Sequence, residues 1–225
     1  MRGRVCIADL VSVKIPCSND IPMCEAAMSH APRSATYHHG DLPAALRRAA
    51  WEIVGESGPR GLSLRECARR AGVSHAAPAH HFGSLEGLVV ELVADGYECM
   101  VEWIVRAQRE VDPLLGGGLG YIRFAIAYPQ QFRLMQSLEP QRRGLPRLLA
   151  ATEAAMACLR DALQAAWLAR HGSAPDAQLL HQRVLLAWSA AHGYACLAID
   201  HRTDAVALAP PEQLLAPMLP ALLTP

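Results

Sequence analysis

Lysine is all but missing from this chain: Lys14 stands alone, and every other basic side chain is arginine. Arginine's planar fork suits phosphate and carboxylate partners, but a GC-rich coding sequence produces the same bias and is the simpler cause. Net charge is missing as well, since 21 basic and 21 acidic side chains cancel. Overall electrostatics therefore argue weakly against a nucleic-acid partner. A local patch still suffices, because only the groups facing a phosphate backbone neutralise it. Charged residues make up 19% of the 225 and hydrophobic ones 52%. That leaves no case for disorder and ample core for one large domain, or for a small one joined to a larger one. The seven cysteines are scattered with no C-x-x-C pair, which argues against a disulfide framework and for reduced thiols in a cytoplasmic protein. Strand signals and internal repeats are absent. So are a G-x-S-x-G elbow, a phosphate loop, an H-E-x-x-H pair and a dinucleotide fingerprint. Catalysis thus has no positive support, and no cofactor is called for.

Residues 1–36 differ from the rest in composition, being rich in Ser, Pro and Met and holding Cys6, Cys17 and Cys24. Asp9 interrupts their short apolar run and no A-x-A site follows, so a signal peptide is not indicated. They read as a flexible N-terminal arm, with Met28 as an alternative start. Helical spacing then takes over. Leu42, Leu46, Ala49, Ala50, Ile53 and Val54 form a stripe, with Asp41 placed to cap it and Pro43 in the first turn.

The segment Leu64–Leu88 reads as helix, sharp turn, helix and the start of a third. Ser63 and Glu66 fit an S-x-x-E capping box. Gly72 supplies the left-handed cap, Val73 plugs the angle between the helices, and Ser74 is placed to cap the second. This is the layout of a helix-turn-helix, whose second helix enters the DNA major groove. An ordinary helical hairpin has the same outline.

Downstream, Ser84 caps a long helix with Leu88, Val89, Leu92, Val93, Met100, Val101, Ile104 and Val105 on one stripe, ended by Asp112-Pro113. Gly116, Gly117, Gly118 and Gly120 weaken helix at ~1 kcal/mol each relative to Ala, so the next helix is expected only from Tyr121 to Ala127. A short helix follows Pro129, then a polar loop at 141–144. Longer helices are expected over Pro146–His171 and from about Pro175 to Ile199. Val184–Ile199 carries no formal charge and is apolar on almost every side. It is shorter than the ~20 residues a membrane crossing needs, so no membrane partner is expected, and a second copy of the chain can cover its outer flank. A last helix starts at Pro210-Pro211.

The run from Tyr37 to Leu88 resembles the DNA-binding domain of TetR-family transcriptional regulators. The residues that carry the likeness are Leu62-Ser63-Leu64-Arg65, Ala68-Arg69-Arg70-Ala71-Gly72-Val73-Ser74, His81-Phe82, Glu86 and Leu88. Trp188, His192 and Gly193 are similar to the Trp-His-Gly signature of one class of C-terminal domain in that family. The resemblance implies an all-α protein with a helix-turn-helix domain at 37–88 and a helical regulatory and dimerisation domain at 89–225. It implies a homodimer that binds a palindromic double-stranded DNA operator, acts as a repressor, and is released by a small-molecule effector. It places Ser63, Arg65, Ser74, His75, Ala76, Ala77, His80, His81 and Ser84 at the DNA. Two positions depart from the family pattern: Ala79 stands where an aromatic residue is usual, and Leu85 where Lys is usual. Both usual residues touch the DNA backbone, so a helical small-molecule-binding protein that has lost DNA binding is the alternative.

His75 can bond a base edge or phosphate, and Ala76 or Ala77 can touch a thymine methyl. His38, His39, His80 and His81 invite a metal reading, but no Cys or carboxylate shares a ligand spacing with them, so no metal site is assigned. Met100, Trp103, Phe124, Phe132, Met135, Trp167, Trp188 and His192 can line an effector pocket, plain core packing being the alternative for most of them.

Overall fold

The computed structural model describes residues 42–138, 145–200 and 208–225, and among these the regular structure is helical throughout. The N-terminal arm, Tyr37, His38, His39, the cap expected at Asp41 and the loop at 141–144 lie outside the described residues.

Helix α1 (Leu42–Ser57) buries Leu46, Ala49, Ala50, Ile53 and Val54, the stripe its spacing predicts. A 3-10 turn at Pro59–Gly61 leads into α2 (Leu64–Ala71), then α3 (Ala77–Phe82) and α4 (Leu85–Glu110). Ser84 caps α4 by accepting from the Gly87 N–H at 3.1 Å. Helix α4 is 26 residues long and packs against α1 and α3 at its start and against later helices beyond. A division of the chain at 88/89 therefore falls inside one helix. The larger apolar core runs along it, from Leu46 and Ile53 of α1 through Leu92 and Cys99 to Phe124 and Met135.

The four glycines after Pro113 do not interrupt the chain. Helix α5 runs unbroken over Pro113–Ala127, with Asp112 accepting from the Leu114 and Leu115 N–H groups. The expected start at Tyr121 is thus corrected, and the reason is tertiary. A Cβ on Gly116 would lie 2.6 Å from the Ala107 carbonyl oxygen, and one on Gly120 would lie 2.5 Å from that of Trp103. The glycines let α5 press its backbone onto α4, and that contact offsets their weak helix propensity.

Pro129 opens α6 (Pro129–Ser137). Helix α7 (Pro146–His171) ends on Gly172 at φ 73°, and α8 (Ala177–Ile199) is capped by Asp176. Helix α8 turns Val184, Ala191, Tyr194, Ala195 and Ile199 inward. Leu185, Leu186, Ser189, Gly193 and Leu197 remain exposed on its other flank. The last helix is not continuous as expected. It divides into α9 (Pro211–Leu215), a 3-10 turn at Ala216–Met218 and α10 (Leu219–Leu222). Pro217 and Pro220 supply no N–H to an α-helical ladder, which accounts for the breaks.

Candidate nucleic-acid interface and interior cavity

Helices α2 and α3 form the helix-turn-helix. Ser63 accepts from the Glu66 N–H at 3.2 Å, and Gly72 adopts φ 68° at the turn. Half of the expected capping box forms, because the Glu66 carboxylate is taken by Arg69 and Arg70 instead. Ser74 is not the N-cap of the second helix. Helix α3 begins at Ala77, and Ser74 accepts the Ala77 N–H through its backbone carbonyl at 3.0 Å. Pro78 is the cause: an α-helical start at Ser74 would need the residue at 78 to donate to that carbonyl, and proline has no N–H. The first α-type bond there runs from His80 to Ala76. His75 and Ala76 consequently sit in a tight turn ahead of the helix.

Ser63, Arg65, Ser74, His75, Ala76, His80, His81 and Ser84 are all exposed, and Ala77 is half-buried. Beside them Pro78, Cys67 and Ala68 are buried, and Phe82 packs against the core. The His80 and His81 rings meet edge to face with centroids 5.3 Å apart. The basic side of α2 is largely spoken for. Arg70 bonds both Glu56 and Glu66, and Arg69 bonds Glu66. Those two guanidiniums hold the Glu66 carboxyl down to about 2. Arg65 forms no ion pair among the described residues.

One buried carboxylate joins this head to the rest. Asp95 of α4 is 3% exposed, and no reading of the sequence singled it out. It accepts from Arg47 Nε of α1 at 3.1 Å and from Arg147 of α7. Arg147 also donates to Glu91 and Glu98. Burial pushes the Asp95 carboxyl above the usual range, against the pull of the Arg147 and Arg47 guanidiniums.

Helices α4 to α8 and the C-terminal segment enclose a cavity of about 300 Å³. Of the residues the sequence offered as a pocket, Met100, Met135 and Trp188 line it. The other five do not. Phe124 and Phe132 are fully buried, and Trp103 packs edge-on against Tyr128, 6.1 Å between centroids. Trp167 stacks on His171 at 4.3 Å. His192 stands one layer behind the wall, its Nδ1 2.8 Å from the hydroxyl of Tyr121, which does line the cavity. Burial holds the His192 imidazole below its ordinary pKa and so in the neutral form. One ring nitrogen of the neutral form donates and the other accepts: Nδ1 pairs with the Tyr121 hydroxyl, and Nε2 lies 3.5 Å from Cys196 Sγ. Tyr97, Tyr121 and Thr152 were missed because hydroxyl-bearing residues scattered through three helices form no sequence motif.

An all-helical protein with an exposed helix-turn-helix, joined by one long helix to a hollow helical body, is the build of a DNA-binding regulator. Residues 46–92 match the family model described as bacterial regulatory proteins, tetR family. Residues 114–222 match that described as tetracyclin repressor-like, C-terminal domain. The chain is thus built from a TetR-family DNA-binding domain and a tetracyclin repressor-like C-terminal domain. Solved structures that share the fold include the following three. One is a protein of unknown function from Rhodococcus sp. RHA1, 27% identical, covering 84% of this chain and 97% of its own, with a TM-score of 0.68. Another is a candidate regulatory protein, SCO4313, at 25% identity, 82% and 96% coverage and a TM-score of 0.64. The TetR-family transcriptional regulator PfmR from Thermus thermophilus is 20% identical over 79% of this chain and 96% of its own, with a TM-score of 0.52, a likeness of fold alone. No curated protein matches the chain.

Proposed function

We propose that the chain is a homodimeric transcriptional repressor, released from a palindromic operator when a small molecule enters the cavity. The division of labour follows residues 37–88 and 89–225. The observation that carries the reading is α4 itself: its first residues stand at the reading head, and Met100 and Ile104 stand in the cavity wall. A ligand that prefers one placement of α4 changes the spacing of two reading heads, and with it the affinity for DNA. The exposed set from Ser63 to Ser84 supplies the contacts, His75 and Ala76 to base edges and Arg65, Ser63, His80, His81 and Ser84 to the backbone. Trp188, His192 and Gly193 support placement in the Trp-His-Gly subclass, with Trp188 and His192 one helical turn apart and their rings 6.0 Å from each other.

Selection from random duplexes with the purified protein tests this. The expected product is a palindrome with half-sites ~34–36 Å apart or a multiple of it. Leu85, 37% exposed at the opening of α4, then tests the docking. Leu85→Lys adds a cation to each subunit, so the slope of log K against log salt should steepen by up to about 1.8, from ~0.9 per phosphate. An unchanged slope on a duplex the parent binds means Leu85 does not face DNA. The second reading, a ligand-binding protein that has lost DNA binding, rests on Ala79 and Leu85. It takes over if the selection enriches nothing.

A further inference from the structure

The cavity is selective in its chemistry. Among the described residues that line it there is no Asp, Glu, Lys, Arg or His. Among the described residues, the ionic cluster at the N-terminal end of α7 is matched internally: Arg147 and Arg47 pair with Glu91, Asp95 and Glu98. Three carboxylates against two guanidiniums would repel an anion, and both guanidiniums are engaged. An ionised group in the cavity would lose its water and gain no counter-charge.

Polarity is also unevenly spread along the cavity: Tyr121 and Trp188 line its α5 and α8 sides, the Tyr121 hydroxyl being paired with His192, and the remaining hydrogen-bonding side chains gather at one end. Helices α4 and α7 lie side by side and run the same way, tied by Arg147 to Asp95 at one end and by Gln108 Nε2 to the Cys158 carbonyl, 3.2 Å, at the other. The cavity follows them from Val93 to Ile104 and from Leu148 to Leu159. At ~1.5 Å per residue each stretch spans about 16 Å. Tyr97, Gln136 and Thr152 lie toward the Asp95 end, where Gln136 and Leu149 are exposed. The Thr152 hydroxyl donates to the Leu149 carbonyl at 2.9 Å, which leaves its oxygen to accept from a ligand. Toward the other end stand Leu114, Met156, Leu159, Met218, Leu219 and Leu222, with no hydrogen-bonding side chain. Two of those six are methionines, which adapt to an irregular or flexible apolar partner.

We propose that this cavity takes an uncharged, single-headed amphiphile. Its hydrogen-bonding head lies at the end beside Gln136 and Thr152, and its aliphatic tail runs between α5 and α7 toward the C-terminal segment. The proposal rests on the reading of the cavity as the effector site, and its test separates the two.

The probes are decan-1-ol, decanoate and decyltrimethylammonium, each below micelle formation at neutral pH, titrated into the full chain by calorimetry and then into its DNA complex. Decan-1-ol should bind at least tenfold tighter than either ion. Ala187→Phe and Met156→Trp, which fill the tail end, should each weaken it at least tenfold. Thr152→Val should weaken it several-fold at an unchanged Tm of the free protein. The proposal is overturned if either ion binds as tightly as the alcohol, if both filled variants still bind the alcohol at parent affinity, or if no probe binds. Alcohol binding with these variant effects but without loss of DNA leaves the ligand class standing and removes the effector role. Release of DNA by an ion, blocked in the filled variants, does the reverse.

Discussion

His192 is the residue whose chemistry is most dependent on its neighbours. Tyr121, Phe132 and Trp188 face its ring from three helices, counting its own, and Cys196 lies a turn away. Burial lowers its pKa from the ordinary 6.5. The folded state therefore resists the proton that the unfolded state takes up, so stability is fully present above about 6.5 and falls as pH drops below it. The fall cannot exceed about 1.4 kcal/mol per pH unit for one proton. Urea unfolding of the parent should lose more free energy between pH 7.5 and 5.5 than that of His192→Gln, which keeps a hydrogen-bonding group for Tyr121. Identical pH dependence in the two proteins would mean that His192 titrates alike folded and unfolded.

Elements here are held by close approach more than by propensity. In α5 the Gly120 contact leaves no room for a methyl group, and the atoms in the way are the backbone of Trp103 and Ile104. Gly120→Ala should improve local helix propensity yet destabilise the protein by ~1–3 kcal/mol, because overpacking against backbone cannot be relieved by a rotamer. A rise in urea midpoint would show that α4 and α5 can move apart cheaply. In α2 the same logic is electrostatic. Glu66→Gln removes the charge that pairs with Arg69 and one of its two acceptor oxygens, while Glu56 still holds Arg70. The freed Arg69 should raise affinity for any duplex and steepen the salt slope by ~0.9 for each phosphate it reaches. Unaltered DNA affinity would place Arg69 away from the backbone.

At the scale of the whole molecule, α8 presents an apolar flank that no described residue covers. On α8 Leu185, Leu186 and Leu197 are exposed beside Ser189 and Gly193, and a Cβ on Gly193 meets nothing within 4 Å in the single chain. A side chain there is therefore harmless to one protomer and obstructive only to a partner. If two copies pack through this face, Gly193→Glu buries an unpaired charge on each side. The cost of several kcal/mol should weaken the dimer at least about 100-fold. Sedimentation at micromolar concentration should find a monomer with helicity and Tm close to those of a folded chain. A dimer that persists would place the interface on another face.

Local chemistry written into adjacent residues was legible in the sequence. The caps at Ser63 and Ser84, the stops at Gly72 and Asp112-Pro113, the stripe of α1 and the reading head of α2 and α3 depend on contacts within one or two helical turns. Even there Pro78 shifted the start of α3, a local signal that was present and unused. What only the tertiary structure decided involves residues distant in the chain. Gly116 and Gly120 belong to a helix because α4 lies against them. Phe124 and Phe132 face the core while Tyr121 and Trp188 face the cavity, a choice made by the rotation of each helix and not by its composition. Asp95 shares a stripe with Leu88, Leu92 and Cys99, and an acid at an apolar position marks it as unusual. Its partners Arg47 and Arg147 lie far from it in the chain. Helical periodicity says which side of a helix is covered, but only packing says by what.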